Sequence, residues 1–159
     1  MYQLRRFGHN DIHWLTDSIE SERMMRLWTG PSFTYPLTCE QFEEHLSRLE
    51  VQPLLFSVDG ENAGYIELFR INKLEYRLCR VLIAPAFRAK GLSKPLVQLA
   101  IDFAKDELKI KRVSLAVFTH NKAAVACYQR IGFKKYQKAE MRKMIDGEYW
   151  EMIKMKIKF

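Results

Sequence analysis

Apolar residues recur along this chain in two rhythms, every second position and every third or fourth, and the changes of rhythm mark out its elements. The opening "YQLRRFG" predicts a strand, and Asn10 or Asp11 is placed to cap a helix through "IHWLTDSIE". A second helix is predicted over "CEQFEEHLSRL", where Thr38 stands three residues before Gln41, the spacing of a capping box. Between the two, "RLWTGPSFTYPLT" is aromatic but broken by Gly30, Pro31 and Pro36, so an ordered loop is expected. "PLLFSV" and "AGYIELFRI" alternate on either side of the polar "DGEN" and read as a hairpin.

The second half changes rhythm again. A strand is predicted in "YRLCRVLIAP", a helix from Ser93 to about Leu108, a strand in "RVSLAVFT", and a short helix from Asn121 to Arg130 closed by Gly132. In the longer helix Leu96, Ala100 and Phe103 adjoin a row of Val97, Ile101, Ala104 and Leu108, an apolar face wide enough to lie on a sheet. Pro95 falls in its first turn, where a missing N–H costs nothing. The tail suggests a hairpin turning near Asp146–Gly147, with Ile153, Met155, Ile157 and Phe159 alternating against Lys154, Lys156 and Lys158. Without repeats or a linker, the chain is expected to form one α+β domain over residues 1–159, built on a mixed, largely antiparallel sheet.

Composition narrows the class. A chain of 159 residues with 48% hydrophobic content is long enough for one domain with a substantial core. No apolar run approaches the roughly 18–20 residues of a membrane span, and "MYQLRRFGHNDIHW" lacks a secretory signal's apolar stretch. A cytoplasmic protein without membrane association is expected. Cys39, Cys79 and Cys127 are odd in number and far apart, which argues against disulfides and against a metal site. Of the net charge of +7, most lies in residues 130–159, with nine Lys or Arg against four Asp or Glu. That surplus reads as edge-strand protection or as a basic docking face. No helix-turn-helix or stacking pattern accompanies it, so no nucleic-acid partner is expected.

The stretch "FRAKGLSKPL" carries the candidate chemistry. It lies between the strand "VLIAP" and the helix beginning at Ser93, the context in which unpartnered helix N–H groups and a glycine turn hold phosphate. The run Ile83-Ala84-Pro85, then Arg88-Ala89-Lys90-Gly91-Leu92-Ser93, then an amphipathic helix, resembles the cofactor signature of the GNAT superfamily of acyl-CoA-dependent N-acetyltransferases. Ser93 departs from that pattern, standing where a glycine or alanine is usual. A second motif, Asn121, Ala124, Tyr128, Gly132 and Phe133, matches the same family about 30 residues on, in the right order and on the right element. The flanking "GPSFTYPLTCEQFEEHL" and "MIDGEYWEMIKM" look most like the subgroup of ribosomal-protein N-terminal and diamine acetyltransferases.

The resemblance implies a sheet of about seven strands flanked by about four helices, with strands four and five splayed after a bulge. It implies acetyl-CoA as acyl-donor co-substrate and no metal. Its pyrophosphate would be held by Arg88, Ala89, Lys90, Gly91, Leu92 and Ser93, and its pantetheine arm would pair with main-chain groups near Val81, Leu82 and Ile83. Asn121 would cap its helix or touch the pantetheine. Tyr128 would protonate the departing thiolate, a task open to a phenol of ordinary pKa near 10.

The base stays open among Glu67, Glu75, His120, Glu151 and a water relay, since Leu78, Arg80 and Leu82 share one face of the fourth strand by simple alternation. Trp28, Phe33, Tyr35, Tyr149 and Trp150 are candidates to hold the acceptor or only to pack. The implied activity is transfer of acetyl to a primary amine, of a protein N-terminus or a small molecule, by direct attack in a ternary complex. The alternative is a CoA-binding regulatory module with reduced catalysis. A monomer or homodimer is expected.

Overall fold

The computed structural model describes residues 1–144 and 146–159, so that Ile145, beside the predicted terminal turn, lies outside the described residues. One sheet contains β1 (Tyr2–Arg6), β2 (Val51–Val58), β3 (Glu61–Arg70), β4 (Glu75–Ile83), β5 (Arg112–Phe118), β6 (Lys134–Lys135), β7 (Glu140–Lys143) and β8 (Tyr149–Lys158). Its order is β1-β2-β3-β4-β5-β8-β6, with β7 also paired to β8. The β4–β5 pair is parallel and the other pairs are antiparallel. The helices are α1 (Ile12–Asp17), α2 (Glu22–Thr29), α3 (Cys39–Leu46), α4 (Ser93–Asp106) and α5 (Lys122–Ile131). The mixed α+β expectation holds, with eight strands in place of about seven and five helices in place of about four.

The additional helix is α2, which begins in the unassigned stretch before the expected loop and takes in its first four residues, Arg26 to Thr29. Ser21 caps it, its Oγ accepting from the Met24 N–H at 3.1 Å, and Arg26 pairs with Glu22 one turn away at 2.6 Å. Met25 is buried from this helix, and Gly30, at φ +64°, ends it. The proline and glycine signals were real but apply only from Gly30 onward.

Alternation along the strands divides the core in two. Leu54, Phe56, Ile66 and Leu68 pack with Leu96, Val97, Ala100 and Ile101 of α4, whereas Leu55 and Tyr65 pack with Leu15, Met25 and Phe42 from α1, α2 and α3. The sheet therefore separates α4 from the first three helices.

One irregularity re-aims β4. Its pairing with β3 runs Glu67↔Cys79 and then Tyr65↔Leu82, so Arg80 and Val81 together oppose a single β3 residue. Arg80 sits in the left-handed region at φ +51°, a conformation that costs about 1–3 kcal/mol for a non-glycine residue. The bulge inverts the alternation beyond it: Leu78 packs with α4, but Leu82 packs with the first three helices. The expectation that Leu78, Arg80 and Leu82 share a face is thus corrected.

Where β4 resumes, β3 comes very close to it. A Cβ added at Gly64 would lie 2.8 Å from the Leu82 carbonyl oxygen and 3.3 Å from Ile83 Cδ1 and Leu96 Cδ2. Gly64→Ala is expected to force β3 and β4 apart and to lower stability by about 1–3 kcal/mol, read by thermal or urea denaturation. An unchanged melting temperature would show that this approach is not tight.

Candidate active site

β4 and β5 pair over only three positions, Glu75↔Arg112, Tyr76↔Val113 and Arg77↔Ser114. Beyond them the strands part, leaving the β5-side main chain of Leu78–Ile83 without a sheet partner, although the other edge of β4 stays paired to β3 as far as Ile83. A cleft of about 1160 Å³ occupies this region, walled by Leu78–Val81 of β4, Leu115–Phe118 of β5, Ala124 and Tyr128 of α5, α2, and the β7–β8 turn. The splay expected between strands four and five is present.

A turn follows β4 and leads into α4. Ala89 at φ +60° and Gly91 at φ +69° both take left-handed conformations. Nothing lies within 4 Å of where a Gly91 Cβ would be, so the backbone angle, not crowding, is what favours glycine there. Leu92 is the N-cap of α4, Ser93 is its first residue, and no side chain caps this end. Its first-turn N–H groups and the helix dipole together suit a diphosphate.

The Arg88 side chain turns away from that role. Its Nε donates to the Ile83 carbonyl at 3.1 Å, and its Nη1 lies 3.8 Å from Glu20. Lys90 lies 5.5 Å from the Phe87 ring centroid. Arg88 therefore ties the turn to the end of β4, while its main chain remains part of the turn.

Asn121 is the N-cap of α5, its Oδ1 accepting from the Ala124 N–H at 3.3 Å. The helix carries Tyr128 to the cleft wall, where its ring meets Phe133 edge-on at 5.7 Å. Burial, with a smaller contribution from Cys127, pushes the phenol up to about 12. It thus stays protonated, as a donor, throughout the neutral and mildly alkaline range.

The candidate bases separate sharply. Glu67 is wholly buried: Tyr65 donates to its Oε2 at 2.6 Å, His45 Nε2 lies 2.7 Å from the same oxygen, and Arg80 Nη1 donates to Oε1 at 3.0 Å. Its oxygens are committed to holding α3, β3 and the bulge together. Glu75 lies where β4 and β5 remain paired, bound by Arg112 at 2.7 Å, Ser114 at 3.1 Å and Lys156 at 3.3 Å. Burial pushes its carboxyl up, but the bonds from Arg112, Lys156 and Ser114 outweigh that and hold it below its ordinary value.

His120 is exposed and lies against Phe118 and Trp150, 5.8 and 4.6 Å between centroids. Glu151 follows Trp150, which walls the cleft, so strand alternation directs its side chain to the other face.

The aromatic candidates divide likewise. Phe33 packs on Phe42 and His45, and Tyr35 reaches the Glu20 carbonyl at 3.4 Å. Tyr149 is exposed, whereas Trp28 and Trp150 wall the cleft. Arg80, Ser32, Asp146 and Glu148 also reach the cleft, and none stood out in the sequence. The bulge brings Arg80 there, the turn after α2 brings Ser32, and the β7–β8 connection brings Asp146 and Glu148. Among the described residues no cluster of three or more His, Cys, Asp or Glu is placed to hold a metal, and no helix is long and apolar enough to cross a membrane.

The family model for the acetyltransferase (GNAT) family matches residues 18–133. The chain is 26% identical over 155 residues to the spermidine N(1)-acetyltransferase of Escherichia coli K12, covering 96% of this chain and 83% of that protein. It is 33% identical over 73 residues to the N-alpha-acetyltransferase RimI of Mycobacterium tuberculosis, 46% of this chain and 44% of that one. The crystal structure of spermidine N-acetyltransferase from Vibrio cholerae in complex with CoA and spermine superposes with a TM-score of 0.82 at 22% identity, covering 99% of this chain and 95% of that chain. That relative has also been solved as a dodecamer.

Cys79 provides a check on the packing around Glu67. Burial, followed by the Glu67 charge, raises its thiol to about 11. Cys79 is expected to resist a thiol-reactive probe at pH 8 until the protein unfolds, since thiolate is the reactive form. Labelling of Cys79 in the native state, located by peptide mass mapping, would contradict the buried cluster.

Proposed function

Because the chain belongs to the GNAT acetyltransferase family, we propose that it transfers the acetyl group of acetyl-CoA to a small primary amine in a ternary complex. The observation that carries this reading is the unpaired edge of β4, which leads from the phosphate-suited turn at Arg88–Ser93 to the phenol of Tyr128. The polyamine substrates in the names of the relatives supply the acceptor's coarse class, a small amine.

In this reading the diphosphate lies on the turn and the first turn of α4, and the pantetheine pairs with main-chain groups of Val81, Leu82 and Ile83. The free amine attacks the thioester carbon, the C–S bond breaks with its electron pair going to sulfur, and Tyr128 donates its proton to that sulfur. The nitrogen's surplus proton leaves through water in the open cleft and Tyr128 is reprotonated from it, so charge and protons balance. A water relay fits the site better than Glu67 or Glu75 as base, because both are fully engaged by cationic and hydroxyl partners.

Tyr128→Phe is expected to lower kcat by about 100-fold while changing the KM for acetyl-CoA by less than about twofold, since only a proton donor is removed. Unchanged kcat would remove Tyr128 from the mechanism. With no internal base, the rate at low acceptor concentration is expected to rise about tenfold per pH unit up to the acceptor's own amine pKa. Its midpoint should move when acceptors of different pKa are compared. A midpoint fixed across acceptors would instead identify an enzyme group as the base.

A further inference from the structure

We infer that α2 forms part of the coenzyme site, and that Arg23 on this helix pairs with the diphosphate of the acetyl-CoA held by the Arg88–Ser93 turn. This rests on the acetyl-transfer reading and adds a binding residue to it. A second cavity, of about 450 Å³, shares Arg23, Leu27, Trp28 and Val81 with the wide cleft. Val81, Leu82 and Ile83, the part of β4 beyond the bulge, line it together with α2 and Arg88. A pantetheine arm that pairs with the main chain of these three residues therefore passes along α2.

Arg88 joins the turn to the same helix. Its Nη2 lies 3.5 Å from Met24 Sδ and its Nη1 lies 3.8 Å from Glu20 Oε1. Arg23 thus stands one residue from a contact with the turn that suits the diphosphate. The Arg88 side chain, directed away from the phosphates, brings a second arginine to them.

Charge points the same way. Arg23 is exposed and makes no ion pair among the described residues, since Glu22 is taken by Arg26 at 2.6 Å and Glu20 lies against Arg88. The smaller cavity is lined by two arginines and by no acid, and Asp146 and Glu148 border only the wide cleft. The Glu20 contact with Arg88 is long and more than half exposed on the glutamate side, so solvent screens it. An acceptor ammonium would be repelled at this point, whereas a diphosphate would be attracted, and the fork of a guanidinium matches phosphate oxygens. Of the coenzyme's phosphates, the diphosphate is the one at the end of the pantetheine arm, next to the turn. The 3′-phosphate lies beyond the ribose.

The test is calorimetric binding of CoA and of 3′-dephospho-CoA to the wild-type protein, Arg23→Gln and Arg23→Lys. A turnover assay with S-acetylpantetheine, a donor without phosphate, accompanies it. Arg23→Gln is expected to weaken both nucleotides alike by about fivefold to tenfold at low salt, and Arg23→Lys by less than about threefold. The deficit of Arg23→Gln should shrink as salt is raised. Its kcat/KM with S-acetylpantetheine should stay within about twofold of wild type. Glutamine is a helix former comparable to arginine, so the melting temperature of the free protein should not move.

Equal CoA affinity in Arg23→Gln and wild type would overturn the inference and leave the acetyl-transfer reading standing. A loss with CoA that vanishes with 3′-dephospho-CoA would overturn the diphosphate assignment in favour of the 3′-phosphate. An equal loss with S-acetylpantetheine would reduce Arg23 to a structural role. Wild-type protein that binds neither CoA nor acetyl-CoA would remove the acetyl-transfer reading and the inference together.

Discussion

Everything in the cleft depends on the ion pair between a fully buried glutamate on β3 and an arginine forced into a left-handed turn in the middle of β4. Glu67 satisfies its oxygens with Tyr65, His45 and Arg80, so the strain at Arg80 is held in place from two elements, β3 and α3. A buried carboxylate is tolerable only when paired in this way. The bulge it secures does two things at once. It shifts the side-chain alternation, so that Leu78 and Leu82 enter opposite cores, and it lies in the stretch where β4 has left β5.

Two kinds of positive potential meet near the end of β4, where Arg88 of the turn reaches Met24 of α2 and Glu20. On the α4 side the donors are main-chain N–H groups at Ala89–Ser93 and the end of a 14-residue helix. On the α2 side they are guanidinium groups. The first kind suits a diphosphate through backbone geometry and tolerates a change of side chain, as Ser93 at the first helical position illustrates. The second kind depends on which side chains occupy α2 and β4.

Much of this was legible in the sequence because it is local. The apolar rows of α4, the Thr38 and Asn121 caps, the hairpin at "DGEN" and the two spaced motifs each depend on residues within a few positions of one another. Helix α2 was obscured because its few apolar residues precede the strong punctuation of Gly30 and Pro31, and its cap, Ser21, lies in a polar stretch. Glu67 could be named as a candidate but not understood, since its partners lie 22 residues earlier and 13 residues later in the chain. The face reached by Leu82 could not be read at all, because one extra residue in a strand reverses every later position and leaves no compositional trace.

The short parallel pairing at the base of β4 and β5, clamped by Glu75, Arg112 and Lys156, is the vertex from which the two strands diverge. The six residues of β4 beyond it, which lack a β5 partner, span roughly 20 Å at about 3.3 Å each, so a difference of about 3° in the angle at that vertex displaces the far end by about 1 Å. The width of the opening is therefore set in part at its base, where the two strands are still joined.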